Sequence, residues 1–526
     1  MVKLIKYINF TMKVRVRIIF TEFLLSLVVV LLHNCGLIPN DNTQTNNTVI
    51  TNIIYEDYPK STNWTWMFYS AADDLELEQS VVNDIGFIKQ AITPDTDINI
   101  IVLIDRYAGG YQNTSVFGEN FSDTRMYRIL PNAVERLKGD DNFKEISLES
   151  NYEANMADAK ILKKFIKYVK YNYPAKYYAL FIAGHGDGMR SKNKINTKSF
   201  VSDTTSENAN DRLFLAEVTD ILDENDSVDL LGFDTCFMST IEVIYQYRKD
   251  KSGFHADYIL ASAALQYGGW QYYQVLKRIN NKSGDNGEDD LTIGGKESYI
   301  SSTLLTPKIL GEMIIEERRD FCYNYFSDQT ISLIDTSKVS YIKLLIDKFV
   351  SNLIYNTNEL YSFVSNVRGV GNSNLALNYF NENDPEEWVT VPYFDVYDLF
   401  MKVVNNKILF SSNNVALAKE ICSKIDEMIV YSYGGISNFE DNKNGVSIFF
   451  PDGSIIYNNK IGWEYLWWYN SLDVRNYGNG SGYGKLLWCI DNSIISNNIV
   501  ENWFEFLDYL YDTNNNYSND INGHIY

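Results

Sequence analysis

Apolar positions along this chain fall in two rhythms. The continuous runs Trp64–Ala71, Ile98–Asp105, Tyr178–Ala183, Val228–Phe233 and Tyr258–Ala264 read as strands buried on both faces. Between them, Asn83–Ile92 reads as a helix. Asp158–Tyr171 sets Ile161, Leu162, Phe165, Ile166 and Val169 at helical spacing, and Pro174 closes it. Further on, Thr330–Asp335 and Gly445–Pro451 read as strands, Val339–Ile354 and about Asn414–Tyr431 as helices, and Tyr393–Phe400 as one more apolar element. Buried strands alternating with helices predict an α/β protein with a parallel sheet covered on both sides. No Pro- or Ser-rich linker and no internal repeat interrupts the pattern, and polar, Gly-rich Asn280–Gly295 reads as a loop. In such sheets ligands bind beyond the carboxyl ends of the strands, so those ends are where chemistry is sought.

The amino terminus has a different pattern. Lys3, Lys6, Lys13, Arg15 and Arg17 precede the apolar run Phe23–Leu32, the order of a secretory signal. The run is short for a membrane span, which needs about 20 residues. It ends in Leu32-His33-Asn34-Cys35-Gly36, which resembles a bacterial lipobox with Cys35 as the lipidated residue. Lipoprotein, secreted protein and retained anchor all stay open; export is common to the first two. The Asn- and Thr-rich stretch that follows reads as a flexible tether.

Charge narrows the partners. Lys plus Arg number 46 against 68 Asp plus Glu, a net charge of −22, which argues against binding a phosphate backbone. Hydrophobic residues at 45% and charged residues at 22% suit a globular chain with a sizeable core. The 5 cysteines are scattered, with no CxxC and no zinc-ligand spacing, so neither a disulfide scaffold nor a zinc site is expected.

Two strand ends hold the candidate chemistry. One reads Ala183-Gly184-His185-Gly186-Asp187-Gly188, the other Gly232-Phe233-Asp234-Thr235-Cys236-Phe237-Met238 before a helix through Glu242. A cysteine nucleophile works as thiolate, which a nearby imidazole and a helix amino terminus favour. Glycines beside His185 let the backbone approach a substrate and aim N–H groups at a developing oxyanion. Taken singly, Cys236 reads as a core residue and Gly-His-Gly as a turn; on two neighbouring strand ends they read as a site. His255 precedes a strand and His524 lies in the tail, which leaves His185 the best placed imidazole. No G-x-S-x-G is present, which argues against a serine hydrolase.

With those residues in view, the segments WTWMFYSAADDLE, NIIVLIDR, NYPAKYYALFIAGHGDG and VDLLGFDTCFMSTIEV resemble the clostripain family of cysteine peptidases (family C11), as do TISLIDTSKV, YFDVYDLF and GVSIFFP. The resemblance runs from about Trp64 to Pro451. It implies a caspase-like α/β/α sandwich with a mostly parallel central sheet and a C-terminal extension or small domain. The corresponding division is 1–35 signal and lipobox, 36–62 tether, 63–300 catalytic core, 301–511 C-terminal part of the peptidase unit, and 512–526 frayed tail.

The resemblance also implies roles. Cys236 attacks the scissile carbonyl, His185 protonates the leaving amine, and the N–H groups of Gly186 and Cys236 hold the oxyanion. Substrates are proteins or peptides, cut by preference after Arg or Lys. Asp234 matches one acid of the pocket that recognises them, and Ser262 lies in the segment where a second acid follows a serine. Here that segment reads Ala261-Ser262-Ala263-Ala264-Leu265, without the acid, which puts the basic preference in doubt. Capping of the next helix is the other role open to Asp234. No cofactor is required; relatives that respond to calcium leave a calcium site open. Relatives also cut themselves between the His and the Cys. The matching interval Met189–Phe200 is basic, and Lys198 is a candidate cleavage point. A monomer without nucleic acid is expected, and Trp463–Tyr469 reads as a packing cluster. The rival reading is a surface binding lipoprotein that keeps the fold without the chemistry.

Overall fold

A computed structural model describes residues 62–149, 151–186, 188, 201–203, 211–279, 300–325, 328–369, 375–384, 387–451, 483–492 and 499–511. The signal, the tether, Cys35, Lys198, Trp463–Tyr469 and the tail lie outside the described residues.

Nine strands form the central sheet: β1 Thr62–Ala72, β2 Ile98–Arg106, β3 Thr124–Leu130, β4 Ala133–Arg136, β5 Ala175–Ala183, β8 Val228–Asp234, β9 Ala256–Ala261, β10 Thr330–Asp335 and β12 Ile429–Gly434. Two small pairs complete the set, β6 Val201–Asp203 with β7 Asp211–Leu213, and β11 Tyr393–Asp395 with β13 Ser447–Phe449. The sheet order is β12-β10-β9-β8-β5-β1-β2-β3-β4. The five strands from β9 to β2 are parallel, and antiparallel pairs lie at both edges. The chain after residue 300 therefore widens this sheet through β10 and β12.

The apolar runs are continuous because both faces are covered. Along β1, Trp64, Trp66 and Phe68 point into one core, with the helices Glu78–Ala91, Tyr272–Ile279 and the start of Pro307–Tyr325. Met67, Tyr69 and Ala71 point into the other, with Ala159–Asn172, Ile241–Gln246, Val339–Leu353 and Ser412–Met428. A period of two thus sends alternate side chains into two separate cores. The α/β/α sandwich with a mostly parallel sheet is the architecture the sequence predicts.

Local chemistry sets several boundaries. Asp158 caps Ala159–Asn172 by accepting from Lys160 N, and Ser411 caps Ser412–Met428 by accepting from Asn414 N. The predicted helix to Tyr431 stops at Met428, and the next residues turn into edge strand β12, which pairs antiparallel with β10. The segment Tyr393–Phe400 is a short strand followed by the helix Val396–Asn405, with Asp395 as its cap.

Candidate active site

Three adjacent parallel strands, β1, β5 and β8, deliver the candidate side chains. Ala183 at the end of β5 is in register with Asp234 at the end of β8. His185 and Cys236 each lie two residues beyond that row, on strands spaced about 4.8 Å apart. Both are half-buried, so solvent reaches them. The backbones behind them are pressed together: a methyl group at Gly186 would overlap the Cys236 carbonyl and stand 2.6 Å from the Cys236 nitrogen. Only glycine allows this approach. The Gly186 N–H donates to no acceptor among the described residues.

The sulfur is held from the next strand. Cys236 Sγ accepts from the Gln266 N–H at 3.2 Å and lies 3.7 Å from the Gln266 carbonyl. After Cys236 the chain turns through Phe237 in the left-handed region, φ 59°. The following helix begins at Ile241, runs through Glu242 and is capped by Thr240, so its amino terminus lies several residues beyond the cysteine. The N–H nearest the sulfur comes from the β9 side instead. Cys322, Cys422 and Cys489 are buried, and burial raises the Cys422 thiol to about 12.

A third strand end joins the pair. Asp74, just past β1, places Oδ2 3.2 Å from His185 Nε2. Its Oδ1 accepts from Glu76 N at 2.7 Å and Leu77 N at 3.3 Å, in the turn that leads to Glu78–Ala91. The sequence shows β1 stopping at Asp73-Asp74, and an acid at a parallel strand's carboxyl end is the signal that could have marked it.

Asp234 is not a helix cap. Its Oδ1 accepts from Gln266 Nε2 at 2.5 Å and its Oδ2 from the Tyr272 hydroxyl at 3.2 Å. Burial raises its carboxyl to about 6, against the pull of Arg318. A second acid stands nearby. Asp84, on Glu78–Ala91, packs so closely on Gly269 that a methyl there would overlap its carboxylate, and it makes no hydrogen bond among the described residues. Burial and the charge of Asp234 raise it to about 8. Arg318 is fully buried and donates to the Gly269 and Tyr267 carbonyls and to Gln329 Oε1. Asp84 and Asp234 remain partly exposed, and Leu265 and Tyr267 stand out to solvent on either side of Gln266. Nothing in the sequence marks Asp84 among the other acids; only the fold brings it here. Ser262 is fully buried, with its hydroxyl committed to the Ala264 carbonyl and Thr330, so its side chain does not reach the surface.

One group among the described residues could hold a metal ion: an oxygen from each of Asp73, Asp105 and Glu153 lies within 4.8 Å of the others. Asp105 is fully buried; Oδ1 accepts from the Thr124 hydroxyl at 2.8 Å, and Oδ2 has no hydrogen-bond partner among the described residues. Burial, with Glu153, Asp203 and Asp73 nearby, pushes its carboxyl well above the usual range. An all-oxygen set of this kind fits a hard cation such as calcium and not zinc.

A cysteine and a histidine at the ends of neighbouring strands define a candidate thiol hydrolase site. The family model of the clostripain family matches residues 68–503. Clostripain of Hathewaya histolytica is 42% identical over 476 residues, covering 88% of this chain and 90% of that protein. Among solved structures, the secreted C11 cysteine protease of Bacteroides thetaiotaomicron called iotapain aligns at 14% identity and TM-score 0.49, over 78% of this chain and 99% of that one. An inactive zymogen C11 protease from Parabacteroides distasonis aligns at 17% identity and TM-score 0.47, over 78% and 98%. The chain belongs to the clostripain family; it is a cysteine peptidase, a hydrolase whose substrates are peptides or proteins. No described helix is long and apolar enough to cross a membrane.

Proposed function

We propose that the protein is an exported endopeptidase in which Cys236 is the nucleophile and His185 the acid–base partner, with preference for a basic residue before the cut bond. The observation that supports this reading is the register of β5 on β8, since both residues follow by two positions a paired row at the carboxyl ends of neighbouring strands. The thiolate adds to the scissile carbonyl. The resulting oxyanion is taken by the N–H groups of Gly186 and Cys236, each such donor being worth about 3–4 kcal/mol. As the C–N bond breaks, the amine takes a proton from His185; water then cleaves the thioester, and the same imidazole accepts its proton.

The basic preference is supported by Asp234 and Asp84, two partly exposed acids offset by Arg318; Gln266 links Asp234 to the sulfur, its side chain donating to the carboxylate and its backbone N–H to Cys236 Sγ. Asp84, once ionised above about pH 8, offers the negative charge that Ala263 and Ala264 do not. Thiol chemistry calls for no metal. Calcium, where bound, would use Asp73, Asp105 and Glu153. The acidic net charge supports action without nucleic acid, and we expect a monomer. Lipidation at Cys35 and self-cleavage after Lys198 belong to the same reading and rest on the sequence alone.

The test is hydrolysis of peptides with Arg, Lys or Leu before the cut bond by wild type, Cys236→Ala and His185→Ala. The reading requires Arg and Lys peptides to be cut fastest and both variants to be silent. Cleavage by Cys236→Ala at the wild-type rate would overturn it. Intact-mass comparison of wild type with Cys236→Ala tests self-cleavage: two chains in the first and one in the second support it, and one chain in both rejects it.

A further inference from the structure

We infer that Asp74 is a positioning residue for His185, holding the imidazole by Nε2 so that Nδ1 is the nitrogen that passes its proton to the leaving amine. The inference rests on the reading of His185 given above and adds a third member to what the sequence presents as a pair.

The geometry is specific. Asp74 Oδ2 stands 3.2 Å from Nε2, and the two side chains are only 26% and 20% exposed. An ion pair between loose surface side chains contributes little, because both must be ordered to form it. Asp74 is ordered already. Its Oδ1 accepts two backbone N–H groups of the turn after β1, from Glu76 and Leu77, and its own carbonyl accepts from Glu78 N at 3.0 Å. The turn therefore fixes the carboxylate, and the free edge of that carboxylate faces the ring. β1 is in turn locked to β5, with Ser70 in register with Ala183. The acid and the imidazole thus project from one rigid edge, an arrangement loop-borne groups seldom reach.

The consequence is a choice of nitrogen. An imidazole that donates Nε2–H to a carboxylate has Nδ1 left for chemistry. In the acylation step the C–S bond forms as the carbonyl oxygen takes the electron pair. The C–N bond then breaks, and the amine nitrogen takes the proton from Nδ1. The ring is left neutral, with Nε2–H still on Asp74. In deacylation Nδ1 accepts a proton from water as oxygen bonds to the acyl carbon and the sulfur departs as thiolate. Through both steps the carboxylate keeps its place, and it steadies the ring while the ring is charged.

Asp74→Asn is the discriminating variant. Its side-chain oxygen can still accept from Glu76 and Leu77, while its amide group cannot accept Nε2–H. Two substrates with the same acyl part are compared, a peptide amide and a p-nitrophenyl ester, the ester read as the burst of nitrophenolate in the first turnover. An amine leaves only when protonated; nitrophenolate leaves without a proton. The expected result is a fall in amide kcat of about a hundredfold, the lower end of what one general acid supplies, with little change in KM. The ratio of amide to ester acylation rates falls at least tenfold. Equal loss on amide and ester would overturn the inference, since that reports distortion of the whole site; so would wild-type amide turnover. Should Asp74→Asn melt well below wild type, Asp74→Ser, whose hydroxyl can still cap the turn, is put through the same pair of substrates. His185→Ala separates this inference from the reading beneath it. If His185→Ala is inactive and Asp74→Asn is normal, only the role of Asp74 fails; if His185→Ala cuts the amide normally, both fail.

Discussion

Ala183 and Asp234 are register partners across β5 and β8, and that single pairing brings the candidate histidine and cysteine together. In a parallel pair, residues equally far beyond a register row stay neighbours for as long as the strands keep their direction. A slip of one residue would send every side chain on one strand to the opposite face. The slip is prevented because Leu180, Ile182, Leu231 and Phe233 sit in one core while Ala179, Phe181 and Leu230 sit in the other. The hydrophobic pattern of two strands therefore places the chemistry at their ends.

The backbone contact behind the pair makes Gly186→Ala a sharp probe. The added methyl would overlap the Cys236 carbonyl and stand 2.8 Å from Thr235 Cβ. Because the clash is with backbone, one of the two strand ends must shift, so the melting temperature should fall as well. Loss of one oxyanion donor costs about a hundredfold in kcat, and that is the expected fall on peptide substrates, with KM changed less.

Acid recognition of the substrate should depend on pH in a stated direction. Asp234, raised to about 6, ionises as the pH rises through that value, and Asp84, raised to about 8, ionises later. The preference for Arg over Leu, read as the ratio of kcat/KM values, should grow from pH 5 to pH 7 and again toward pH 8.5. Asp234→Asn should lower that ratio about tenfold at pH 7, equivalent to about 1.4 kcal/mol. Asp84→Asn should lower it more at pH 8.5 than at pH 6.5.

Glu242 gives a stability prediction away from the site. It is fully buried; Oε1 accepts from Phe449 N at 3.0 Å and the Tyr483 hydroxyl at 3.3 Å, while Oε2 has no hydrogen-bond partner among the described residues. Burial raises its carboxyl to about 7. The folded chain therefore holds a proton there, between about pH 4 and pH 7, that the unfolded chain releases, so this group's contribution falls as pH rises through that window. Thermal melts on the Cys236→Ala background should show Glu242→Gln losing less stability than Glu242 between pH 5 and pH 8. Parallel curves for the two proteins would contradict this.

The central strands are legible in the sequence because both faces of each are apolar, which leaves an unbroken run. The edges are less so. The strand β3 (TRMYRIL) mixes buried with half-buried residues, Met126 and Tyr127 being buried side by side, and has no clean period until β2 is beside it. The strand β12 (IVYSYG) continues the apolar pattern of the helix before it, and only pairing with β10 decides its form. His185 and Cys236 are readable because a residue after a parallel strand has few places to be. Asp74 is half-readable for the same reason. Asp84 is not, because it approaches Asp234 from a helix and its meeting with Gly269 exists only in three dimensions.

The central claim, that Cys236 is the nucleophile and works with His185, is tested most directly by covalent labelling. Wild type, Cys236→Ala and His185→Ala are treated with a peptide acyloxymethyl ketone bearing Arg at the cleavage position, and the modified peptide is mapped by mass spectrometry. The account predicts one adduct, on Cys236, absent from Cys236→Ala and formed far more slowly in His185→Ala. An adduct on Cys322, Cys422 or Cys489, or labelling as fast in His185→Ala as in wild type, would contradict it.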